Sequence, residues 1–459
     1  MARGKKKETL TPEERLQAAL VPASEQPYPV PGNWCWVRLK ASINLYNGDR
    51  GTNYPSKKDY QFSGVPFINA GAIVDGELNE AEFNYISEEK YDALRAGKIQ
   101  QGDILYCLRG SLGKTAIVHQ KFKGAISSSL CILRANQSLL KEYLYYLLCS
   151  NVIGHQQVLA ENGSAQPNLS AASVMDYMIP LSPLAEQHRI VDRIESLFAK
   201  LDEAKQKAQD ALDSFETRKA AILHRAFTGE LTARWRKERG IGMDSWERLK
   251  LGEIGTLERG RSQHRPRNDP RLFGGPYPFI QTGDVASANV YITEHHQTLS
   301  EFGMEQSRMF SAETLCITIA ANIGDVAILS YDCCFPDSVV GFIPNNRSIS
   351  KFVYYMMSVL QKELEDNAPA TAQKNINLKI LNAVEMNIPP VIEQAEIVRR
   401  LDNLLAKEQQ AKENAEKVLE QIDLIQKAIL ARAFRGELGT NDPSEESAQE
   451  LIKNFIFKM

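Results

Sequence analysis

The feature that most constrains this chain is an internal repeat. The segment AAILHRAFTGEL (Ala220–Leu231) recurs as KAILARAFRGEL (Lys427–Leu438), 207 residues later. Weaker matches lie upstream in the same order, for example Ile179-Pro180 with Ile388-Pro389. Collinear matches at an almost constant offset indicate duplication of a whole structural unit. The 459 residues therefore form two copies of one unit of roughly 200 residues.

Each copy begins with a globular part, residues 31–182 in the first copy and 243–388 in the second. Both parts are rich in Gly, Pro and Asn between short apolar runs, which is typical of short strands joined by turns. Two longer segments, Lys141–Cys149 and Ser350–Leu360, predict helices. Each globular part is therefore predicted to be a mixed α/β domain. The runs that predict strands include Ile104–Leu108, Leu130–Leu133, Leu315–Ala320 and Val339–Ile343.

Each copy ends with a long helical part, residues 183–230 and 389–437. Apolar residues recur there at alternating steps of four and three, the pattern of a coiled-coil seam. Pro183 and Pro390 precede the apolar stripes of these segments, and Gly229 and Gly436 follow the stripes, as expected at helix starts and stops. The seam positions are Ile190, Ile194, Leu197, Leu201, Ala204, Ala208, Ala211 and Phe215 in the first helix, and Ile397, Leu401, Leu404, Glu408, Ala411, Ala415, Val418, Ile422, Ile425 and Ile429 in the second.

Connectivity predicts how the two helices pair. The first helix ends just before the second globular part, and the second helix leaves that same part directly. Paired seams must therefore run antiparallel, with Ile190 facing Ile429 and Ile222 facing Ile397. The predicted fold class is α+β: two homologous mixed α/β domains separated by two long antiparallel coiled-coil helices, related by a pseudo-twofold axis.

Three further segments complete the predicted organisation. Residues 1–30 form an N-terminal arm with a short helix starting at Thr11, and residues 231–242 form a linker. Residues 438–459 form a tail whose helix starts at Asp442–Glu445 and carries an apolar stripe. Each terminal helix could pack on this chain or on a partner protein.

Local charge, rather than net charge, points to a ligand. The net charge is only −3, yet five arginines with interspersed Gln and Asn occupy thirteen residues of the second copy. Arginine and amide side chains can bind phosphates and base edges, and two linked domains suit a DNA target with two half-sites. A solvated basic loop is the alternative interpretation. The predicted DNA-binding residues are Arg259, Arg261, Gln263, Arg265, Arg267 and Arg271 in the second copy, and Arg50, Lys57, Lys58, Arg109 and Lys114 in the first.

Several segments together identify a family. They are IPLSPLAEQHRIVDRIESLFAKLD (Ile179–Asp202), IPPVIEQAEIVRRLDNLLAK (Ile388–Lys407), PFIQTGD (Pro278–Asp284) and the repeated pair given above. The chain resembles the specificity subunit of a type I restriction–modification enzyme. The resemblance implies that the globular parts are target recognition domains, each reading one half of a bipartite DNA target. It also implies that the helices set the unread spacer and dock two methylation subunits.

The resemblance further implies that this chain carries no catalysis and no cofactor. S-adenosylmethionine would bind to the methylation subunits, which modify adenine, and ATP and Mg would bind to restriction subunits. The first copy has PFINAGAI in place of PFIQTGD, so a role for Thr282 or Asp284 is not transferred to Asn69 or Ala70.

Two other functions remain open at this point. The loop Gly110–Thr115 resembles a phosphate-binding loop, so a nucleotide-binding enzyme that uses Lys114 is one alternative. The first glycine of such a loop is, however, replaced by Leu108. A purely structural coiled-coil adaptor is the third hypothesis. The seven cysteines include no Cys-x-x-Cys pair, which favours a cytoplasmic protein. The histidines do not have the spacing of a metal site, so no structural metal is expected. No apolar run is long enough to predict a membrane span.

Overall fold

The computed structural model describes residues 10–161, 167–320, 323–366 and 376–458. The chain divides into two compact units. The first consists of Met1–Lys207 together with Lys417–Met459, and the second of Ala208–Glu416. The first unit is therefore assembled from both ends of the sequence.

The first half of the chain contains eleven described strands and six described α-helices. The helices are α1 (Pro12–Ala19), α2 (Glu88–Ala93), α3 (Lys141–Leu148), α4 (Asn151–Ala160), α5 (Ala171–Met175) and α6 (Leu184–Asp213). The strands are β1 (Cys35–Arg38), β2 (Ile43–Asn47), β3 (Val65–Ile68), β4 (Ile73–Val74), β5 (Glu77–Leu78), β6 (Asn84–Ile86), β7 (Ile104–Cys107), β8 (Thr115–Ile117), β9 (Ala125–Ile126), β10 (Leu130–Ala135) and β11 (Met178–Leu181).

The second half repeats this plan. Its helices are α7 (Phe215–Phe227), α8 (Ala233–Arg239), α9 (Leu251–Ile254), α10 (Thr282–Ser287), α11 (Glu301–Glu305), α12 (Ser350–Asp366), α13 (Leu378–Asn382), α14 (Val391–Ala433) and α15 (Ala448–Lys458). Its strands are β12 (Glu247–Lys250), β13 (Gly255–Arg259), β14 (Phe273–Phe279), β15 (Tyr291–Ile292), β16 (Gln297–Leu299), β17 (Met309–Phe310), β18 (Leu315–Thr318), β19 (Val326–Leu329), β20 (Cys333–Cys334), β21 (Val339–Pro344) and β22 (Glu385–Ile388).

The main sheets of the two units share their strand order. The order β2-β10-β7-β8 in the first unit matches β13-β21-β18-β19 in the second, where β15 adds a parallel edge strand. A smaller sheet, β6-β3-β9, matches β16-β14-β20, to which β17 adds an antiparallel edge strand. The pairs β3-β9 and β14-β20 are both parallel. The antiparallel pair β1-β11 matches β12-β22. The predicted duplication of a mixed α/β domain is confirmed.

The central strands are apolar along most of their length, as in Leu130–Leu133 of β10, because both faces of the sheet are covered. In β10, Cys131 and Leu133 belong to the apolar cluster that also contains α3, whereas Leu130 and Ile132 belong to a second cluster on the other face. Successive side chains of a strand point to opposite faces, so a continuous apolar run fits a strand buried on both sides.

Each unit holds the start of one long helix against the end of the other. In the first unit, Ile190 and Ile194 share an apolar cluster with Leu430 and Phe434. In the second unit, Leu223 and Ala226 share a cluster with Ile397 and Leu401. The helices therefore pair antiparallel in both units, as predicted.

The heptad stripe is only partly buried. Ala415 and Ile422 are below one-tenth exposed, but the alternate seam residues Val418 and Ile425 are 38% and 43% exposed. Each helix of a pair covers only one side of its partner. The seam residues on the other side, Val418 and Ile425, therefore remain exposed to solvent.

Three predicted boundaries differ from the structure. The first long helix is interrupted at Ser214, whose hydroxyl donates to the Asp210 carbonyl oxygen (2.7 Å), a contact that bends helices. The predicted linker contains α8. The tail helix begins at Ala448 rather than at Asp442, because the Asp442 carboxylate accepts from the Ser444 N–H and forms a turn there.

The two terminal helices pack on this chain. Thr11 and Glu14 form the capping box that starts α1. Ala19 from α1 and Ala448, Ile452 and Ile456 from α15 lie in the main apolar cluster of the first unit. The C-terminal tail therefore completes the core of the domain at the other end of the sequence.

A buried glutamate at the start of each long helix bonds to the segment that follows the other long helix and to the start of the adjoining domain. Glu393 is fully buried and accepts from Arg236 Nη1 (2.5 Å), Thr232 Oγ1 (2.6 Å) and Trp246 Nε1 (3.1 Å). Its ion pair with Arg236 joins α14 to the segment that follows α7. A buried ion pair is costly to break from one side, because an uncompensated charge remains.

We expect Arg236→Ala to destabilise the second unit by about 3–5 kcal/mol, because the Glu393 carboxylate would stay buried without its cation. In thermal unfolding of the full chain, the midpoint temperature of the first transition should be clearly lower than in the wild type. Arg234→Ala is the matched control in the same helix: its side chain is 86% exposed and pairs with Glu238. Equal shifts in both variants would contradict the importance of the buried pair.

Candidate nucleic-acid interface

The arginine-rich segment connects two sheets of the second unit. Arg259 ends β13 of the large sheet, and Arg271 lies just before β14 of the small sheet. All five predicted arginines are exposed. The segment is held at its base by backbone hydrogen bonds, from Gly260 N to Val339 O (2.9 Å) and from Arg261 N to Phe335 O (3.2 Å).

Two of these arginines form ion pairs with carboxylates, and a third donates to a backbone carbonyl oxygen. Arg267 Nη2 lies 2.9 Å from both carboxylate oxygens of Asp337, and Arg259 Nε donates to the Asp337 carbonyl oxygen. Arg271 Nη2 donates to Asp269 Oδ2 (2.8 Å). The Arg271 side chain is the main cause that holds the pKa of Asp269 far below its usual value, followed by the Arg271 backbone N–H and His264. The loop is therefore partly neutralised from within.

The other two arginines keep their charge available. Arg265 Nη1 donates to the carbonyl oxygens of Ser262 (2.7 Å) and His264 (2.9 Å), and Arg261 Nη2 donates to Gln263 Oε1. In the described part of the chain, neither guanidinium lies within 4 Å of a carboxylate. Arg261 and Arg265 are thus the strongest candidates in this loop for binding an anion such as a DNA phosphate.

An amide-rich cavity lies beside the loop. Its volume is about 470 Å³, and one wall is the basic segment itself. The polar lining consists of neutral amides and hydroxyls with one histidine and one arginine. The lining residues are Ser262, Gln263, His264, Arg267, Asn268, Leu272, Phe273, Phe279, Gln281, Gln297, Leu299, Gly303, Gln306, Ser307, Pro336 and Ser338.

Two glutamines of this cavity were not predicted as site residues. Gln281 follows β14 and its Nε2 donates to Gln297 Oε1 (2.9 Å) at the start of β16. The Gln281 backbone N–H donates to Asp284 Oδ2 (2.7 Å), and Asp284 also contacts His296 Nδ1 (3.0 Å). The sequence contained a signal for Gln281, since it lies in PFIQTGD, but the pairing with Gln297 requires the β14-β16 register.

The basic residues of the first unit are spread over more elements. Arg50 follows β2, and Lys57 and Lys58 lie in a short 3-10 turn; all three are exposed. The neighbouring Asp49 accepts backbone N–H groups of Arg95 (2.8 Å) and Gly51 (2.7 Å), which lower the pKa of its carboxyl. Farther along the same segment, the ring of Phe62 is fully exposed.

Arg109 and Lys114 lie apart from that segment, in the turn between β7 and β8. Both are exposed, and Lys114 Nζ donates to the Ile73 carbonyl oxygen (3.1 Å). The turn joins two antiparallel strands, with Gly110 and Gly113 at positive φ. A phosphate-binding loop of the nucleotide-hydrolase type leads from a strand into a helix N-terminus. The nucleotide-binding interpretation of Gly110–Thr115 is therefore not supported.

Among the described residues, no group of three or more His, Cys, Asp or Glu side chains could hold a metal ion. None of the described helices combines the length and apolarity needed to span a membrane. All seven cysteines are free thiols, five of them buried.

The family comparison matches both copies. The model of the type I restriction modification DNA specificity domain matches residues 31–212 and again residues 243–421. Together the two matches cover more than half of the chain. They begin near the start of each globular part and extend into each long helix.

Curated relatives and solved structures agree with this match. The chain is 22% identical to the type I restriction enzyme EcoKI specificity subunit of Escherichia coli, covering 89% of this chain and 90% of that protein. It is 24% identical to the putative type I restriction enzyme MjaX specificity subunit of Methanocaldococcus jannaschii, over 86% and 92%. The HsdS subunit from Thermoanaerobacter tengcongensis has a similar fold, with a TM-score of 0.68 at 22% identity, covering 90% of this chain and all of that chain.

We expect Asp337→Ala to increase affinity for duplex DNA of any sequence. The substitution removes a negative charge and releases Arg267, so binding should tighten several-fold and the salt-dependence slope should steepen by about one unit. Fluorescence anisotropy with a random-sequence duplex at several salt concentrations measures both effects. Asp332→Ala removes an exposed carboxylate elsewhere in the same unit and is the control; an equal gain there would contradict the role given to Arg267.

Proposed function

Because the chain belongs to the type I restriction modification DNA specificity family, it is a DNA-specificity subunit of a type I restriction–modification system, and we propose how its parts share that task. Each globular domain reads one half of a bipartite DNA target. The long helices set the number of unread base pairs and dock two methylation subunits. The loop of Arg261 and Arg265 contacts the half-site of the second domain.

One observation carries this assignment. The main sheets of the two units share their strand order, whereas the segment between the large and small sheets differs in composition. That segment is arginine-rich and borders an amide-lined cavity in the second unit, but it carries Arg50, Lys57 and Lys58 in the first. A shared scaffold with different reading loops is what two unlike half-sites require.

Partners and cofactors follow from the same proposal. Methylation subunits bind S-adenosylmethionine and modify adenine, restriction subunits bind ATP and Mg, and this chain contributes target recognition in the cytoplasm. Exposed apolar residues on the second long helix, Val418, Leu424 and Ile425, support a docking surface for a methylation subunit. A structural adaptor without DNA binding is disfavoured by the exposed, unneutralised Arg261 and Arg265.

The proposal is tested by co-purification and methylation mapping. The chain is expressed with the methylation subunits of its host, and modified adenines in genomic DNA define the bipartite target. The double variant Arg261→Ala and Arg265→Ala should bind this target about 10-fold or more weakly. Because two phosphate contacts are lost, the slope of log affinity against log salt concentration should also become less steep by about one to two units.

The two half-sites provide the control for that experiment. Duplexes carrying only one intact half-site should show the loss for one half and not for the other. Arg234→Ala serves as a matched variant, since it removes an exposed arginine of the same unit outside the loop. Equal weakening at both half-sites would contradict the assignment of the loop to one domain, and no methylation of any sequence would contradict the function itself.

We also expect the helices to determine the spacer. Inserting four residues into both α6 and α14 adds about 6 Å of helix, which corresponds to one or two base pairs at roughly 3.4 Å each. Methylation mapping should then show the same two half-sites separated by a longer spacer. An active variant with an unchanged spacer would rule out this role.

A further inference from the structure

We propose that the paired side chains of Gln281 and Gln297 read one A·T base pair in the half-site of the second domain. This assignment rests on the proposed function and adds the class of base that the domain selects. It concerns two residues at the edge of the small sheet, not the arginines that meet phosphates.

The backbone fixes where these two amides lie. Gln297 is the register partner of Phe279 in the antiparallel pair β14-β16, and Gln281 follows two residues after Phe279. Phe279 and Ile280 are buried, so the chain that leads into Gln281 is anchored in the apolar cores. Both amides line the cavity beside the basic loop, and Gln281 is exposed to solvent there.

The hydrogen bond between the two amides orients them and leaves further donor and acceptor sites on both unused. Gln281 Nε2 donates one hydrogen to Gln297 Oε1 over 2.9 Å. Each amide has two N–H hydrogens and an oxygen that can accept twice. The pair therefore still offers both a donor and an acceptor to a ligand. Adenine presents a donor at N6 and an acceptor at N7 in the major groove, whereas guanine presents two acceptors.

The second unit frees Gln281 for this task through Asp284. The Asp284 carboxylate accepts from the Gln281 backbone N–H and supports the turn into α10. At the equivalent position of the first unit, the side chain of Asn69 supports its own turn instead, accepting from the Gly71 N–H (2.7 Å). At the same place in the fold, the amide of Asn69 is used within its own turn, whereas the amide of Gln281 donates across the sheet to Gln297.

The surroundings favour a base over a phosphate for these two residues. The amides are neutral, and they lie in a concave site of about 470 Å³ that also contains Gln263 and Gln306. The loop that forms one wall of this cavity also carries Arg261 and Arg265, which can meet the DNA backbone. Neutral amides in a recess next to a guanidinium match the usual division between base reading and phosphate contact.

The test is selection of bound duplexes from a randomised DNA pool. The full chain, in complex with its methylation subunits and without S-adenosylmethionine, should enrich a bipartite sequence. Gln281→Ala should lower the preference at a single A·T base pair of one half-site by about 5- to 100-fold, since a bidentate amide–adenine contact is lost. The rest of that half-site and the whole of the other should be enriched unchanged, which shows that the variant is folded.

A second variant and a control sharpen the result. Gln297→Glu retains an oxygen to accept from Gln281 but removes both N–H hydrogens, so it should lose preference at the same base pair. Asn289→Ala, an exposed amide of the same unit outside the cavity, should enrich the wild-type sequence.

Two failures are distinguishable. If the wild-type complex enriches no bipartite sequence, the proposed function is wrong and this assignment falls with it. If the wild-type complex enriches one, but Gln281→Ala leaves every position unchanged or relaxes a G·C pair, only the assignment of these glutamines is wrong.

Discussion

A buried glutamate at the start of each long helix is the interaction on which the architecture depends. Glu186 and Glu393 are both fully buried, and each accepts from the indole N–H of the tryptophan that precedes the first strand of its domain, Trp34 and Trp246. Each also accepts from the segment that follows the other helix. In the first unit that segment is the C-terminal tail, through Asn441 Nδ2 (2.8 Å). One carboxylate thus joins three distant parts of the sequence.

The two sites satisfy their buried charge differently. Glu393 pairs with Arg236, whereas Glu186 is held by the neutral donors of Trp34, Asn441 and Thr440. The nearby Arg189 instead binds Glu445 in a two-point ion pair at 2.8 and 2.9 Å. Both arrangements tie the start of one long helix to the segment that follows the other. In the first unit that segment is the C-terminal tail, far from its domain in sequence, whereas in the second unit it directly precedes β12.

The two domains share this frame and differ in the segments between their sheets, to which the proposed function assigns target specificity. The sheets are fixed by side chains packed on both faces, so the connecting loops can vary without loss of the core. In the second unit, ion pairs with Asp269 and Asp337 restrain Arg271 and Arg267, while Arg261 and Arg265 stay unneutralised. Under the proposed function, this internal neutralisation would limit binding to arbitrary DNA and leave the contact with the target mainly to Arg261 and Arg265.

The sequence by itself determined the duplication, the mixed α/β class, the antiparallel helices and the family, because repeats, apolar periodicity and connectivity are local or pairwise signals. It predicted a basic loop, but it could not separate paired from free arginines, since Asp337 lies 70 residues from Arg267 in the chain. It also missed the break at Ser214 and the true start of α15, which depend on single side-chain hydrogen bonds. The contact between Gln281 and Gln297 was decided only by the tertiary structure, because strand register brings together amides sixteen residues apart.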